Sequence, residues 1–211
     1  AHDTATNALR KAESLYRAAD AMVADGRFKH AAQLFRSVNQ LYSETPLAPR
    51  ALFQSADALE RAGDPAAAEG GFRQTAERYA GTPLAEQALL RLATLLSARN
   101  AVDAAVTTYG AALAATTNDA VRLEALLGRG RANYRAYRFE AALQDFTAAS
   151  AAPSIDGEAH YWQVMSLYSL GRDDESYRAG EAFLKAFPQS PRLPDLLLWL
   201  AKTDYNRARL A

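Results

Sequence analysis

One stretch decides the fold: Asp25-Gly26-Arg27-Phe28-Lys29-His30-Ala31-Ala32-Gln33-Leu34-Phe35. Its skeleton of a turn residue, a small residue and a closing aromatic returns along the chain. The aromatic positions are spaced 37 residues apart, at Phe35, Phe72, Tyr109 and Phe146. A weaker fifth copy begins at Gly171, 34 residues after Tyr137. A fixed period of this size is typical of a solenoid of stacked helix pairs.

The junctions between the copies keep the same period. They are Thr45-Pro46, Thr82-Pro83, Asp119-Ala120 and Asp156-Gly157, again 37 residues apart, with Ser190-Pro191 following 34 residues later. Threonine, aspartate and serine are good helix N-caps, and proline is tolerated at the first helical position because that N–H has no intrahelical partner. The sequence therefore predicts that a new helix pair starts at each junction.

The two signals together predict an all-α protein, and alternating β-branched runs typical of strands are missing. We expect a single right-handed α-α superhelical solenoid over 1–211, made of five helix pairs and a terminal unpaired helix. The predicted units are about 6–43, 46–80, 83–116, 120–151 and 157–187, and the terminal helix is about 191–209.

Small residues recur where neighbouring helices are expected to approach closely. One set lies on the first helix of each unit, at Ala19, Ala56, Ala93 and Gly130, and another on the second helix, at Ala31, Ala68, Ala105 and Ala142. A larger side chain at these places would force the helices apart, so we predict that all eight positions are buried.

Composition excludes several classes of function. Lys+Arg and Asp+Glu are equal at 24 each, so no overall positive charge favours binding to nucleic acid or to an anionic membrane. The absence of cysteine removes disulfides and thiolate chemistry. No apolar run approaches the roughly 20 residues that a spanning helix needs, so we expect no membrane insertion by this segment.

No catalytic or metal-binding motif accompanies the repeat. His2, His30 and His160 are far apart in the sequence and lack the spacing of metal ligands. We therefore predict a protein that is not an enzyme and that uses no metal and no cofactor. A basic stretch, Arg129, Arg131, Arg135 and Arg138, is flanked by Tyr134 and Tyr137. It could attract an acidic peptide or form an exposed face whose arginine stems cover apolar surface.

The repeated residues resemble the tetratricopeptide repeat family over about residues 8–208. The matching positions include Leu89, Leu92, Ala93, Leu96, Val102, Ala105, Tyr109 and Ala112. The 37-residue spacing differs from the usual unit of about 34 residues. With its Tyr-x-x-Thr-Pro-Leu-Ala junctions, it is similar to bacterial envelope proteins, namely TolA-binding coordinators and the lipoprotein subunit of the outer-membrane barrel assembly machine. This resemblance favours a periplasmic or envelope-associated location over the cytoplasm.

The resemblance implies that the first helix of each unit lines a concave wall that binds a protein or peptide partner. The positions left outside the core are then candidate contacts. They are Tyr16, Asp20, Phe53, Asp57, Leu90, Leu127, Arg131, Tyr134, Arg135, Tyr161, Met165, Tyr168 and Trp199. Exposed aromatics on such a wall are candidate peptide anchors. The alternative for each of them is packing against the adjacent repeat.

The terminal helix suggests a second kind of function. Leu193, Leu196, Leu197, Leu198, Trp199 and Leu200 make it apolar on more than one face, whereas a solenoid usually ends in a polar cap. The first hypothesis is thus a non-catalytic peptide-binding scaffold. The alternatives are a self-association or spacer segment of a larger envelope protein, forming a homo-oligomer through this helix, and a helical accessory domain of a cell-wall enzyme.

Overall fold

The computed structural model describes the backbone of residues 2–152 and 157–210 and the side chains of residues 5–152 and 157–203. Within these residues the chain forms helices and contains no strand, as predicted. The helices are α1 His2–Ala24, α2 Phe28–Leu41, α3 Ala48–Arg61, α4 Pro65–Arg78, α5 Pro83–Ala98, α6 Val102–Ala115, α7 Asp119–Arg135, α8 Phe139–Ser150, α9 Glu158–Ser169, α10 Asp173–Ala186 and α11 Leu193–Leu210. Each predicted helix is confirmed, with bounds that differ by a few residues.

The helices pack in successive pairs and fall into two compact units. The first unit, Ala1–Thr117, holds α1 to α6, and the second, Asn118–Ala211, holds α7 to α11. Inside each unit every helix contacts the next helix along the chain, and the first helices of neighbouring pairs also touch, as α3 does α5 and α7 does α9. The prediction of one continuous solenoid over 1–211 stays a prediction.

A turn of the same kind joins the two helices in each of the five pairs. In every turn one residue has a positive φ, between 60° and 79°: Gly26, Gly63, Asn100, Tyr137 and Gly171. In the first turn, the N–H of Arg27 donates to the carbonyl of Met22 and that of Gly26 donates to Val23. These two bonds define the Schellman ending of a helix, and the other four turns repeat them. The conformation suits glycine, so Tyr137, with 82% of its surface exposed, is strained at this position.

The junctions between pairs are built in more than one way. Thr82 is the predicted N-cap, because its hydroxyl accepts from the N–H of Ala85 and Pro83 opens α5. The prediction is wrong for Thr45, whose hydroxyl donates to the carbonyl of Tyr42 and whose carbonyl closes a turn with the N–H of Ala48, so α3 begins only after that turn. The hydroxyl of Ser190 accepts from the N–H of Arg192, as a cap does, and α11 begins at Leu193. The cap of α7 is Asn118, one residue before Asp119. Asp156 lies outside the described residues.

The repeated small and aromatic positions form the core. The eight small residues predicted to be buried are buried, and the seven alanines among them are fully so. The four repeated aromatics are at most 4% exposed. Close approach explains Gly130, where a methyl group would lie 2.7 Å from the ring of Phe146. These contacts recur at the period of the sequence, so the sequence repeat reflects the repeated packing of the helix pairs.

Candidate functional site

The aromatic candidates of the first unit are used mainly for packing. Tyr16 is 8% exposed and meets the edge of Phe35 at a ring distance of 5.0 Å. Phe53 meets Phe72 in the same way at 5.3 Å, and Leu90 is 5% exposed. Each of these residues lies on the first helix of its pair and contacts or faces the core, so little of its surface reaches solvent. The binding role predicted for them stays a prediction.

In the first unit, an arginine on the first helix of one helix pair forms ion pairs with the first helix of the preceding pair. Arg91 on α5 contacts Asp57 at 2.9 Å and Glu60 at 2.5 Å, both on α3. Burial would lower the pKa of Arg91, but the hydrogen bonds and charges of Glu60 and Asp57 raise it above its usual value. The arginine therefore stays charged and ties α5 to α3. Asp20, which occupies the position of Asp57 one repeat earlier, is exposed.

The basic stretch of α7 is compensated by acidic partners. Arg129 lies 2.6 Å from Asp145 of α8, and Arg131 lies 2.6 Å from Glu158 of α9. Arg135 and Arg138 are exposed. Two of the four arginines thus hold neighbouring helices together, and the stretch as a whole is a weaker attractor for an acidic peptide than its composition indicates.

Four aromatic residues of the second unit form a row across α7, α9 and α11, which we call the aromatic row: Tyr134, Tyr161, Tyr168 and Trp199. The hydroxyl of Tyr134 contacts that of Ser169 on α9 at 3.0 Å, which places α7 beside the end of α9. Tyr168 meets the edge of Trp199 at a ring distance of 5.6 Å. Tyr168 is 50% exposed, so an aromatic surface is open at the α9–α11 contact.

Charged residues border the aromatic row. The guanidinium of Arg192 stacks on Tyr161 at 5.4 Å from the ring centre. Burial and the nearby Asp195 raise the pKa of Tyr161, while Arg192 lowers it less. The phenol is therefore neutral at physiological pH. The row combines flat apolar surface with polar edges, which is the composition of peptide-binding hot spots.

The remaining candidates, Met165 and Leu127, are at least partly buried. Met165 packs against the cluster of α9, α10 and α11 that contains Val164, Phe183, Leu196 and Leu200. Leu127 is partly buried on α7. The indole Nε1 atoms of Trp162 and Trp199 are buried without a hydrogen-bond partner among the described residues. Since buried indole N–H groups usually find an acceptor, these two donors are incompletely satisfied.

Sequence reasoning missed three residues that shape these surfaces: Arg91, Ser169 and Arg192. For Arg192 a signal exists, because it lies 34 residues after Glu158 and so continues the register of charged residues. Arg91 and Ser169 act through contacts between different helix pairs. Such contacts depend on how the pairs stack and leave no local pattern.

The described residues contain no group of three or more histidine, aspartate or glutamate side chains arranged to hold a metal ion. None of the helices in this part of the chain is both long and apolar enough to cross a membrane. Burial lowers the pKa of His160, whose ring lies 4.9 Å from that of Phe187. A neutral histidine against an aromatic ring is explained by packing.

The fold is similar to several solved structures. A tetratricopeptide repeat protein from Parabacteroides merdae matches with a TM-score of 0.75 and 18% identity, over 95% of this chain and 76% of that one. The Rap conjugation gene regulator of plasmid pLS20, solved with the Phr* peptide, matches with a TM-score of 0.51 and 16% identity, over 88% of this chain and 55% of that one. Bacillus thuringiensis PlcR, solved with the peptide PapR7 and DNA, matches with a TM-score of 0.51 and 12% identity, over 92% of this chain and 74% of that one.

These identities show a shared fold and no more. A search of curated protein sequences finds no match. The similarity to envelope proteins at the junctions is not tested by any comparison and stays a prediction. A model of the tetratricopeptide repeat-like domain, however, matches residues 2–164, well over half of the chain. Together with the helix pairs and their recurrent turns, this match shows that the chain belongs to the tetratricopeptide repeat-like family.

Proposed function

We propose that this protein is a non-catalytic scaffold that binds a peptide segment of a partner protein on the aromatic row. Proteins with the fold of this family typically act as protein-binding scaffolds. Two proteins of similar fold were solved with bound peptides. The observation that carries the proposal is the half-exposed ring of Tyr168 against Trp199. An aromatic held in place by its neighbours loses little conformational entropy when it anchors a ligand.

Replacing Tyr168 with alanine is expected to weaken peptide binding at least about tenfold, which corresponds to roughly 1.4 kcal/mol. The ring supplies apolar contact area, and it is exposed enough for the fold to survive its loss. The measurement is fluorescence anisotropy with peptides selected on the wild-type protein from a phage-displayed random library. The matched control is Tyr168→Phe, which keeps the ring and removes only the hydroxyl, and we expect it to retain binding. Selected peptides that bind Tyr168→Ala as well as wild type would contradict the proposal.

A second candidate function is self-association through α11. Leu198 is 60% exposed and Leu197 is 48% exposed. In the repeat register Leu198 corresponds to Val164, Ala93, Ala56 and Ala19, all of which are fully buried. In the earlier units this position faces the second helix of its own pair, as Gly130 faces Phe146. The face that a helix normally covers is therefore open on α11.

Under this second candidate, we expect Leu198→Glu to convert a dimer into a monomer, because a carboxylate buried in an apolar interface would lose its hydration. Light scattering gives the solution mass of both forms. The control is Lys202→Gln, at an exposed position on the same helix, which also changes the net charge by −1. If the wild-type protein is monomeric at high concentration, self-association through α11 is contradicted, and peptide binding on the aromatic row is the function that stands.

A further inference from the structure

Two cavities recur in the first unit on the side formed by the second helices of the pairs. One, which we call the arginine cleft, lies between α2 and α4 above α3 and has a volume of ≈ 390 Å³. The other, the leucine cleft, lies between α4 and α6 above α5 and has a volume of ≈ 460 Å³. Their floors correspond in register: Leu52 and Leu59 in the first match Leu89 and Leu96 in the second, 37 residues later. The repeat thus places a cleft at the same point of successive pairs.

The arginine cleft is polar and carries two arginines. Arg36 and Arg78 line it together with Gln40 and Gln74. Among the described residues, neither arginine forms an ion pair with a carboxylate, whereas Arg73 and Arg91 of the same unit do. Two positive charges that line one cleft favour the binding of an anion in it.

Asn39 holds one of these arginines in position. It is 3% exposed, and its side-chain oxygen accepts from Arg78 at 3.3 Å. Its amide nitrogen donates to the carbonyl of Ala48 at 2.8 Å and to the hydroxyl of Tyr79 at 3.0 Å. The register equivalent in the leucine cleft is Ala76, which can make none of these bonds. A buried amide with three partners therefore orders Arg78 before any ligand arrives.

Gly70 lines the arginine cleft in the middle of α4, where glycine is among the least favourable residues. Its neighbour Gly71 has a packing reason, because a methyl group there would lie 2.8 Å from the Cβ of Ala56. At Gly70 a methyl group would meet nothing within 4 Å, so packing does not require glycine. The missing side chain leaves the cleft open.

The leucine cleft has a different chemistry. Its floor is Leu89, Leu92 and Leu96. Its one lining arginine, Arg73, is already paired with Glu69 at 2.8 Å, and the carboxylates of Glu77 and Asp103 also line the cleft, which disfavours an anion there. This cleft therefore suits an apolar side chain. Residues of α4 line both clefts, so one extended segment of a partner can reach both of them.

We propose that the arginine cleft binds a carboxylate of an acidic peptide segment, a nearby apolar side chain of which occupies the leucine cleft. This surface is formed by residues of α2 to α6 and shares no residue with the aromatic row, which belongs to the second unit. It is therefore a second binding surface, independent of the proposed function.

The test sorts peptides selected on the wild-type protein from a phage-displayed random library. One class is expected to contain an acidic residue and an apolar residue at a constant spacing, and to bind the double variant Arg36→Glu and Arg78→Glu at least about tenfold more weakly. The matched control is Arg10→Glu with Arg17→Glu, two exposed arginines of α1, which changes the net charge equally. This class is expected to bind Tyr168→Ala normally.

Gly70→Leu separates binding from stability. A leucine at this helical position is expected to raise the thermal midpoint, because leucine favours a helix more than glycine does. It fills the cleft, so the same class of peptides should bind at least about tenfold more weakly. The proposal is overturned by an absence of acidic peptides among those selected, by equal binding to the cleft variants, or by full competition from inorganic phosphate at constant ionic strength. The last result would indicate a simple anion site.

Discussion

Replacing Phe72 with alanine is expected to lower the free energy of unfolding by about 3–5 kcal/mol, the usual loss for a large aromatic removed from a packed core. Phe72 is 0% exposed. One side of its ring meets Phe53 at 5.3 Å, and the guanidinium of Arg91 lies over it at 5.3 Å from the ring centre. The cavity would thus open between three helices, where little can collapse to fill it.

The effect should extend to the charged face above the ring. Arg91 bridges Asp57 and Glu60, and it rests on Phe72. We expect Phe72→Leu, which keeps most of the volume, to cost less than about 1.5 kcal/mol. Urea denaturation followed by circular dichroism measures both variants. A loss below about 1 kcal/mol for Phe72→Ala would show that the repeated aromatic is not a main support of the first unit.

Replacing Asp145 with alanine is expected to cost about 3 kcal/mol, because it removes one partner of a buried ion pair. Asp145 is 4% exposed. It accepts from Arg129 Nε at 3.1 Å to each carboxylate oxygen, and from Asn133 Nδ2 at 3.2 Å. Without the carboxylate, a partly buried guanidinium and a buried amide lose their acceptor. The side chain of Arg129 keeps 30% exposure, which places the loss at the low end for buried pairs.

The repeat itself supplies the control for this prediction. The register equivalents of Arg129, Asn133 and Asp145 in the preceding pair are Leu92, Leu96 and Thr108. A triple variant that copies them, Arg129→Leu, Asn133→Leu and Asp145→Thr, should be within about 1 kcal/mol of the wild type or more stable. Urea denaturation compares it with Asp145→Ala. A triple variant as unstable as the single one would mean that α7 and α8 require the polar network for their packing.

Local pattern was sufficient for the helices, their turns and their buried stripes. The turn position recurs at Gly26, Gly63 and Asn100 because each helix must end in the same left-handed conformation. The closing aromatics recur because each pair must fill the same space. These requirements act between residues close in sequence, so they leave a periodic signal, and the predicted core positions were confirmed.

The candidate sites could be predicted only in part. The sequence placed Tyr168 on the first helix of the fifth pair and Trp199 on the terminal helix, but their mutual contact depends on the stacking of α9 and α11. It also treated Arg129 and Arg131 as one basic stretch, whereas each has an acidic partner on another helix. Whether a side chain is neutralised or exposed depends on residues far away in the chain.

The sequence by itself thus determined the all-helical repeat, because backbone capping and the burial of small and aromatic residues are periodic constraints. Only the tertiary structure decided which charges are paired, that Tyr168 stays half exposed, and that Gly70 and Arg78 border a cleft. These properties arise where one helix pair meets the next. There, geometry brings together residues about one repeat apart, such as Asn39 and Arg78, whose identities do not recur from repeat to repeat.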